Sequence, residues 1–121
     1  MKFEGTKQLP SLEFDEAIGH IKIFGVSIAI EPSDFWSPLL AKMITYLEDP
    51  RDIHLEIELD YFNTPSAKQI LSLLNLIDKR TGETKRKFVV TWHDDDDEDM
   101  RETGEDFASM IYKNTTWRFE P

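Results

Sequence analysis

The hydroxyl with the best-defined surroundings in this sequence is Thr64, within Asp60-Tyr61-Phe62-Asn63-Thr64-Pro65-Ser66-Ala67-Lys68. Proline suits the first position of a helix, because its missing N–H would be unpaired there. The spacing therefore predicts Pro65 at that position and Thr64 at the N-cap, with its hydroxyl facing the free amides of Ser66 and Ala67. A phosphoryl group on that hydroxyl would bring roughly −1.5 to −2 charges to the positive end of a helix dipole, which tolerates an anion. Lys68, one turn on, could pair with the added charge, and Asp60 would repel it, leaving a small net effect on folding. A docked partner would feel far more, because charge placed in an interface must be desolvated. An ordinary capping threonine has the same spacing, so local physics permits a switch at Thr64 without requiring one.

Other groups carry weaker chemical signals. The run Asp94-Asp95-Asp96-Asp97-Glu98-Asp99 offers hard oxygen ligands, but lacks the spaced ligands and turn glycine of a calcium loop. It reads as a solvated helix start and a docking surface for a basic partner, with salt-sensitive association. Tyr61, Asp96, Asp97, Glu98 and Asp99 are accordingly candidate interface residues. His20, His54 and His93 are far apart in sequence, and no pair has ligand spacing, so each reads as a surface or strand residue. Trp36, Trp92 and Trp117 lie on apolar-patterned segments and read as core anchors. There is no Gly-rich phosphate loop, nucleophile elbow or cysteine. No catalytic residue, metal ligand or cofactor site is predicted.

The elements that must position these residues can be read from periodicity. Ser11 to Phe14 and His20 to Ile23 read as a strand hairpin turning through Glu16 to Gly19. Ser33 or Asp34 can cap a helix whose buried stripe is Trp36, Leu39, Leu40, Met43, Ile44 and Leu47, stopped by Pro50. Ile53, Leu55, Ile57 and Leu59 alternate with polar residues as a half-buried strand does. A second helix from Pro65 carries Ile70, Leu73, Leu74 and Ile77, with Gly82 beyond its end in a basic loop of Lys79, Arg80, Lys85, Arg86 and Lys87. Phe88 to Trp92 is a strand, Met100 to Ile111 a third helix, and Thr116 to Phe119 a closing strand. The order ββαβαβαβ implies an α/β fold, a mixed sheet of four to five strands with about three helices mainly on one face.

Composition narrows the function classes. At 121 residues, with 40% hydrophobic residues and no linker or repeat, the chain reads as one domain over residues 1–121. Twenty-four Asp and Glu against fourteen Lys and Arg give a net charge of −10, which argues against nucleic acid and membrane partners. Absence of cysteine suits the cytoplasm, and Met1 to Leu12 has neither a signal peptide's nor a membrane span's apolar stretch.

The segment Tyr61 to Lys68 resembles the Tyr-Phe-Asn-Thr-Ser-Ser-x-Lys signature of the SiaC-type regulatory phosphoproteins, which share the fold of anti-sigma factor antagonist (STAS) domains. Glu4-Gly5-Thr6, Gly25-Val26-Ser27-Ile28, Trp92, Asp96 to Met100 and Gly104-Glu105-Asp106-Phe107 fall in the same order as in that family. The resemblance implies a non-catalytic bacterial partner-switching regulator. A cognate serine/threonine kinase would phosphorylate Thr64, and a metal-dependent serine/threonine phosphatase would reverse this. Asn63, Ser66 and Lys68 would support the site. The unmodified form would bind a target similar to a diguanylate cyclase, in cyclic-di-GMP and biofilm signalling. Separately from the resemblance, a monomer is the default expectation for the chain alone. Pro65 stands where the family more often has Ser, and Ala29-Ile30-Glu31-Pro32 departs from its usual entry to the first helix. Two other readings remain open at this level: a sensor of nucleotides or other small ligands, and a metal-dependent hydrolase using Asp94 to Asp99.

Overall fold

A computed structural model describes all 121 residues. Six strands form one sheet in sequence order: β1 (Lys2–Phe3), β2 (Ser11–Asp15), β3 (His20–Ser27), β4 (Ile53–Phe62), β5 (Phe88–His93) and β6 (Thr115–Glu120). β1, β2 and β3 pair antiparallel, whereas β3 to β6 run parallel. Each parallel pair is bridged by a helix: α1 (Ser33–Tyr46), α2 (Thr64–Glu83) and α3 (Glu98–Met110). Successive right-handed crossovers between neighbouring strands put all three helices on one face. Burial follows. Ile21, Ile23, Leu55, Ile57, Val90 and Trp92 point into a core shared with Trp36, Leu39, Leu73 and Phe107. The alternate residues His20, Lys22, His54, Glu56 and His93 line the opposite face, which no helix covers.

The mixed α/β sheet and three helices match the sequence pattern, with several differences. There are six strands rather than four or five, because β1 is only two residues long, pairing with Leu12 and Glu13, and cannot display alternation. Neither Ser33 nor Asp34 caps α1; Pro32 holds the N-cap position and supplies no side-chain hydrogen bond. Within the stripe expected for α1, Ile44 is exposed. α2 extends to Glu83, so Gly82 lies in its last turn instead of beyond its end, and Lys79 and Arg80 are helical.

One irregularity shapes the end of β4. Gly25 pairs with Leu59 but Val26 pairs with Tyr61, leaving Asp60 as an extra, bulged residue. The bulge reverses the alternation. Tyr61, which would otherwise continue the buried series, is 61% exposed. Phe62 turns inward against Trp92 and Phe107. The chain thus enters α2 with Phe62 anchored.

Candidate functional site at the start of the second helix

The capping residue of α2 is Asn63, not Thr64 as the Thr-Pro spacing predicts. Its backbone is extended, and its Oδ1 accepts the N–H of Ser66 at 3.0 Å, while its carbonyl accepts the N–H of Ala67 at 3.0 Å. Thr64 is therefore the first helical residue and Pro65 the second, and the two amides expected to face the Thr64 hydroxyl are already occupied. An asparagine caps as well as a threonine does, and here it has a further use for its second polar atom. Nδ2 donates to the Ala29 carbonyl at 3.0 Å, and the Asn63 N–H donates to the Ser27 carbonyl at 3.1 Å. Asn63 thereby ties the helix start to the β3–α1 connection.

Beneath it lies a buried polar triad. The Ser66 hydroxyl donates to the Ser27 carbonyl at 2.8 Å and stands 2.6 Å from the Ser27 hydroxyl, which accepts from Trp36 Nε1 at 3.1 Å. All three residues are fully buried. Ser66 thus turns its hydroxyl into the core and supports the site from below. Ser27 and Trp36 were not legible as parts of this site, because their partner is distant in sequence. The Thr64 hydroxyl makes no hydrogen bond within the chain, and Thr64, Pro65 and Lys68 are exposed. Lys68 sits four residues along the same helix face with no carboxylate partner, and Asp60 is exposed nearby in the chain.

The acidic run ends up at the same end of the sheet, after β5. It is not a uniformly solvated helix start. Asp94 is buried; its Oδ1 accepts the Asp96 N–H at 3.0 Å and its Oδ2 lies 3.5 Å from the Arg101 guanidinium. Asp97 caps α3 by accepting from Asp99 and Met100, while Asp95 and Asp96 adopt left-handed backbone conformations with φ of 51° and 58°. Asp95, Asp96, Glu98 and Asp99 stay exposed, along with the capping Asp97. No group of three or more His, Asp or Glu side chains is arranged to hold a metal ion.

The three histidines, distant in sequence, meet on the open face. His20 Nε2 and His93 Nε2 lie 2.5 and 3.0 Å from opposite oxygens of Glu56, and His54 Nε2 lies 2.8 Å from Thr91 Oγ1. Adjacent parallel strands place residues two apart on one face, so β3, β4 and β5 deliver them to one spot. Burial alone would raise the Glu56 carboxyl; the hydrogen bonds from His93 and His20 outweigh it and hold the carboxyl below the usual range. Desolvation dominates at His54 and lowers it, against the opposing pull of Glu56.

The chain is thus a one-sided α/β sheet with an exposed, unbonded threonine hydroxyl at the start of its second helix. Its sequence matches the family model for SiaC family regulatory phosphoproteins over residues 3–116, and the chain belongs to that family. It is accordingly a regulator and not an enzyme. Its structure resembles apo-SiaC from Pseudomonas aeruginosa, with TM-score 0.89, 21% identity, and 100% of this chain and 98% of that one covered. It also matches the crystal structure of the diguanylate cyclase SiaD in complex with its activator SiaC, from the same organism, with TM-score 0.86, 20% identity and 99% of each chain covered. Comparison with curated protein sequences gives no significant match. No helix is long and apolar enough to cross a membrane.

Proposed function

We propose that this chain is a partner-switching regulator whose unmodified form binds a diguanylate cyclase and whose binding is controlled by phosphorylation of Thr64. The observation that carries this reading is the division of labour at the start of α2: Asn63 does the capping, so the Thr64 hydroxyl is exposed and uncommitted. A kinase can take that hydroxyl without unmaking the helix. The phosphate gains from the helix dipole, by about 0.3–1 kcal/mol, and from Lys68, but finds the Ser66 and Ala67 amides engaged. The fold changes little, and the new charge projects outward.

Two exposed apolar side chains flank this region. Tyr61 is 61% exposed and Ile30 is 87% exposed, and the connection carrying Ile30 is held beside Thr64 by the bond from Asn63 to Ala29. A partner seated on these side chains would have to desolvate the phosphate, which disfavours binding. Asp96 to Asp99, at the same end of the sheet, would contribute charge that steers a basic partner surface. The SiaC of the Pseudomonas complex is described as the activator of a diguanylate cyclase, which favours a cyclase as the target here. A serine/threonine kinase and a metal-dependent phosphatase would write and erase the mark.

The test is intact-mass analysis after incubation with ATP and the candidate cognate kinase, followed by cyclase binding. A gain of about 80 Da in the parent and none in Thr64→Ala, with cyclase binding lost on phosphorylation, is expected. Phosphate uptake by Thr64→Ala at the parental level would refute the site.

A further inference from the structure

Positive charge on this acidic chain concentrates at the end of the molecule far from Thr64. Residues 79–87 hold five of the fourteen Lys and Arg, namely Lys79, Arg80, Lys85, Arg86 and Lys87, with Glu83 as the single acid among them. Arg80 pairs with Glu83 and donates to the Leu47 carbonyl. Lys79, Lys85, Arg86, Lys87 and the neighbouring Lys113 are exposed and belong to no ion pair. They border two shallow grooves that share Gly82 and Asn114, between the end of α2 and the start of β6. The twenty-residue α2 separates this patch from Thr64 by about 30 Å.

Two features set the patch apart from ordinary surface lysines. Its backbone is locked. The Lys85 N–H donates to the Gly82 carbonyl and the Arg86 N–H to the Thr81 carbonyl, closing the helix end. Asn114 Nδ2 donates to the Arg86 carbonyl at 2.8 Å, and the Lys87 N–H donates to Asp52 Oδ1 at 2.9 Å. Three cations are thus held on a fixed frame, which lowers the ordering cost of binding. Lys85 also occupies the left-handed position after the helix, with φ of 58°, where glycine would carry no steric penalty. The chain keeps a strained cation at that position.

We propose that this patch is a second docking surface, which binds an acidic, extended segment of a partner protein independently of the Thr64 site. Charge complementarity selects the occupant. A broad polyanion such as a duplex or a membrane plane would also meet Glu48, Asp49 and Asp52, exposed on the adjoining connection between α1 and β4. A narrow peptide can follow the groove lined by Lys85, Arg86 and Lys87, whose lining holds no carboxylate, whereas Asp78 and Glu83 line the other.

The experiment is an amide-shift titration of the isotopically labelled full chain with a glutamate-rich peptide, at low and high salt. Shifts centred on Lys79, Lys85 to Lys87 and Asn114, lost at high salt, are expected. Replacing Lys85, Arg86 and Lys87 together by Gln should weaken binding roughly tenfold. Lys85→Gly should raise thermal stability while weakening peptide binding, whereas a purely structural loop would gain stability with binding unchanged. The proposal is overturned if no amides in the patch shift, if the triple Gln variant binds as the parent does, or if duplex DNA or phosphatidylserine vesicles bind more tightly than the peptide. Salt-sensitive self-association without peptide would also overturn it, since a second copy's acidic run would then be the occupant. Kinase labelling of Thr64 in the triple variant keeps the two sites separable.

Discussion

Three substitutions at the start of α2 rank the roles of its two candidate capping residues. Asn63→Ala removes the Oδ1 acceptor for the Ser66 N–H, at 3.0 Å, a cap whose loss costs about 1 kcal/mol. It also removes the Nδ2 donor to the carbonyl of buried Ala29, at 3.0 Å, for about 1 kcal/mol more. The sum is about 2 kcal/mol. Asn63→Asp keeps an equally good capping oxygen but turns a carboxylate towards the Ala29 carbonyl, so it should lose about 1 kcal/mol. Thr64→Ala removes a hydroxyl with no partner from an exposed position and should stay within about 0.5 kcal/mol of the parent. Urea unfolding followed by the fluorescence of the buried Trp36 and Trp92 reads all three, with unchanged m-values. By heat, the Asn63→Ala loss corresponds to about 8 °C in Tm. A loss of about 1 kcal/mol or more in Thr64→Ala beside an unaffected Asn63→Ala would mean that Thr64 is the cap. The premise of a free acceptor hydroxyl would then be wrong.

Further outcomes can be checked on the same protein. Gly104→Ala would gain about 1 kcal/mol in helix propensity, but its Cβ would lie 2.6 Å from Trp92 Cδ1 and Nε1. Because Trp92 is fully buried and donates to the Met100 carbonyl, overlap should win, for a net loss of about 1–2 kcal/mol by denaturant unfolding. Ser66→Ala leaves the Ser27 hydroxyl without its 2.6 Å partner and should cost about 1–3 kcal/mol, while phosphate uptake at Thr64 persists in a kinase assay on folded protein. Acid should destabilise the fold in two stages. His54 is lowered from 6.5, so the unfolded chain takes up its proton first and stability falls from near pH 6.5 down to the folded value. Glu56 is lowered from 4.5, so its contribution is present above that pH and is lost as pH falls through its folded value. Glu56→Gln should shrink the lower stage in a pH series of unfolding curves, leaving the part due to Glu16, which its hydrogen bond from Lys42 also holds below 4.5, and deepen the upper one, because Glu56 holds His54 up. An unchanged lower stage would remove Glu56 from the account.

Much of this protein is determined by sequence alone. Alternation in Ile53 to Leu59 and the three-and-four spacing in α2 each depend on neighbours a few residues away, so strands, helices and the α/β class could be read from them. The family is legible in the residue types of Tyr61 to Lys68. Tertiary structure decided the rest, where the controlling partner is remote or the local signals tie. Asn63 and Thr64 are both good capping residues, and it is the Ala29 carbonyl, 34 residues away, that favours Asn63. Periodicity would bury Tyr61; the bulge at Asp60, visible only in the pairing of β3 with β4, exposes it and buries Phe62. His20, His54 and His93 share no sequence spacing, and Glu56 collects two of them because parallel neighbours bring residues 36 and 37 positions apart within hydrogen-bonding distance. Local propensity fixes which residues form an element, but which side chains meet depends on strand register, and register is a property of the whole sheet.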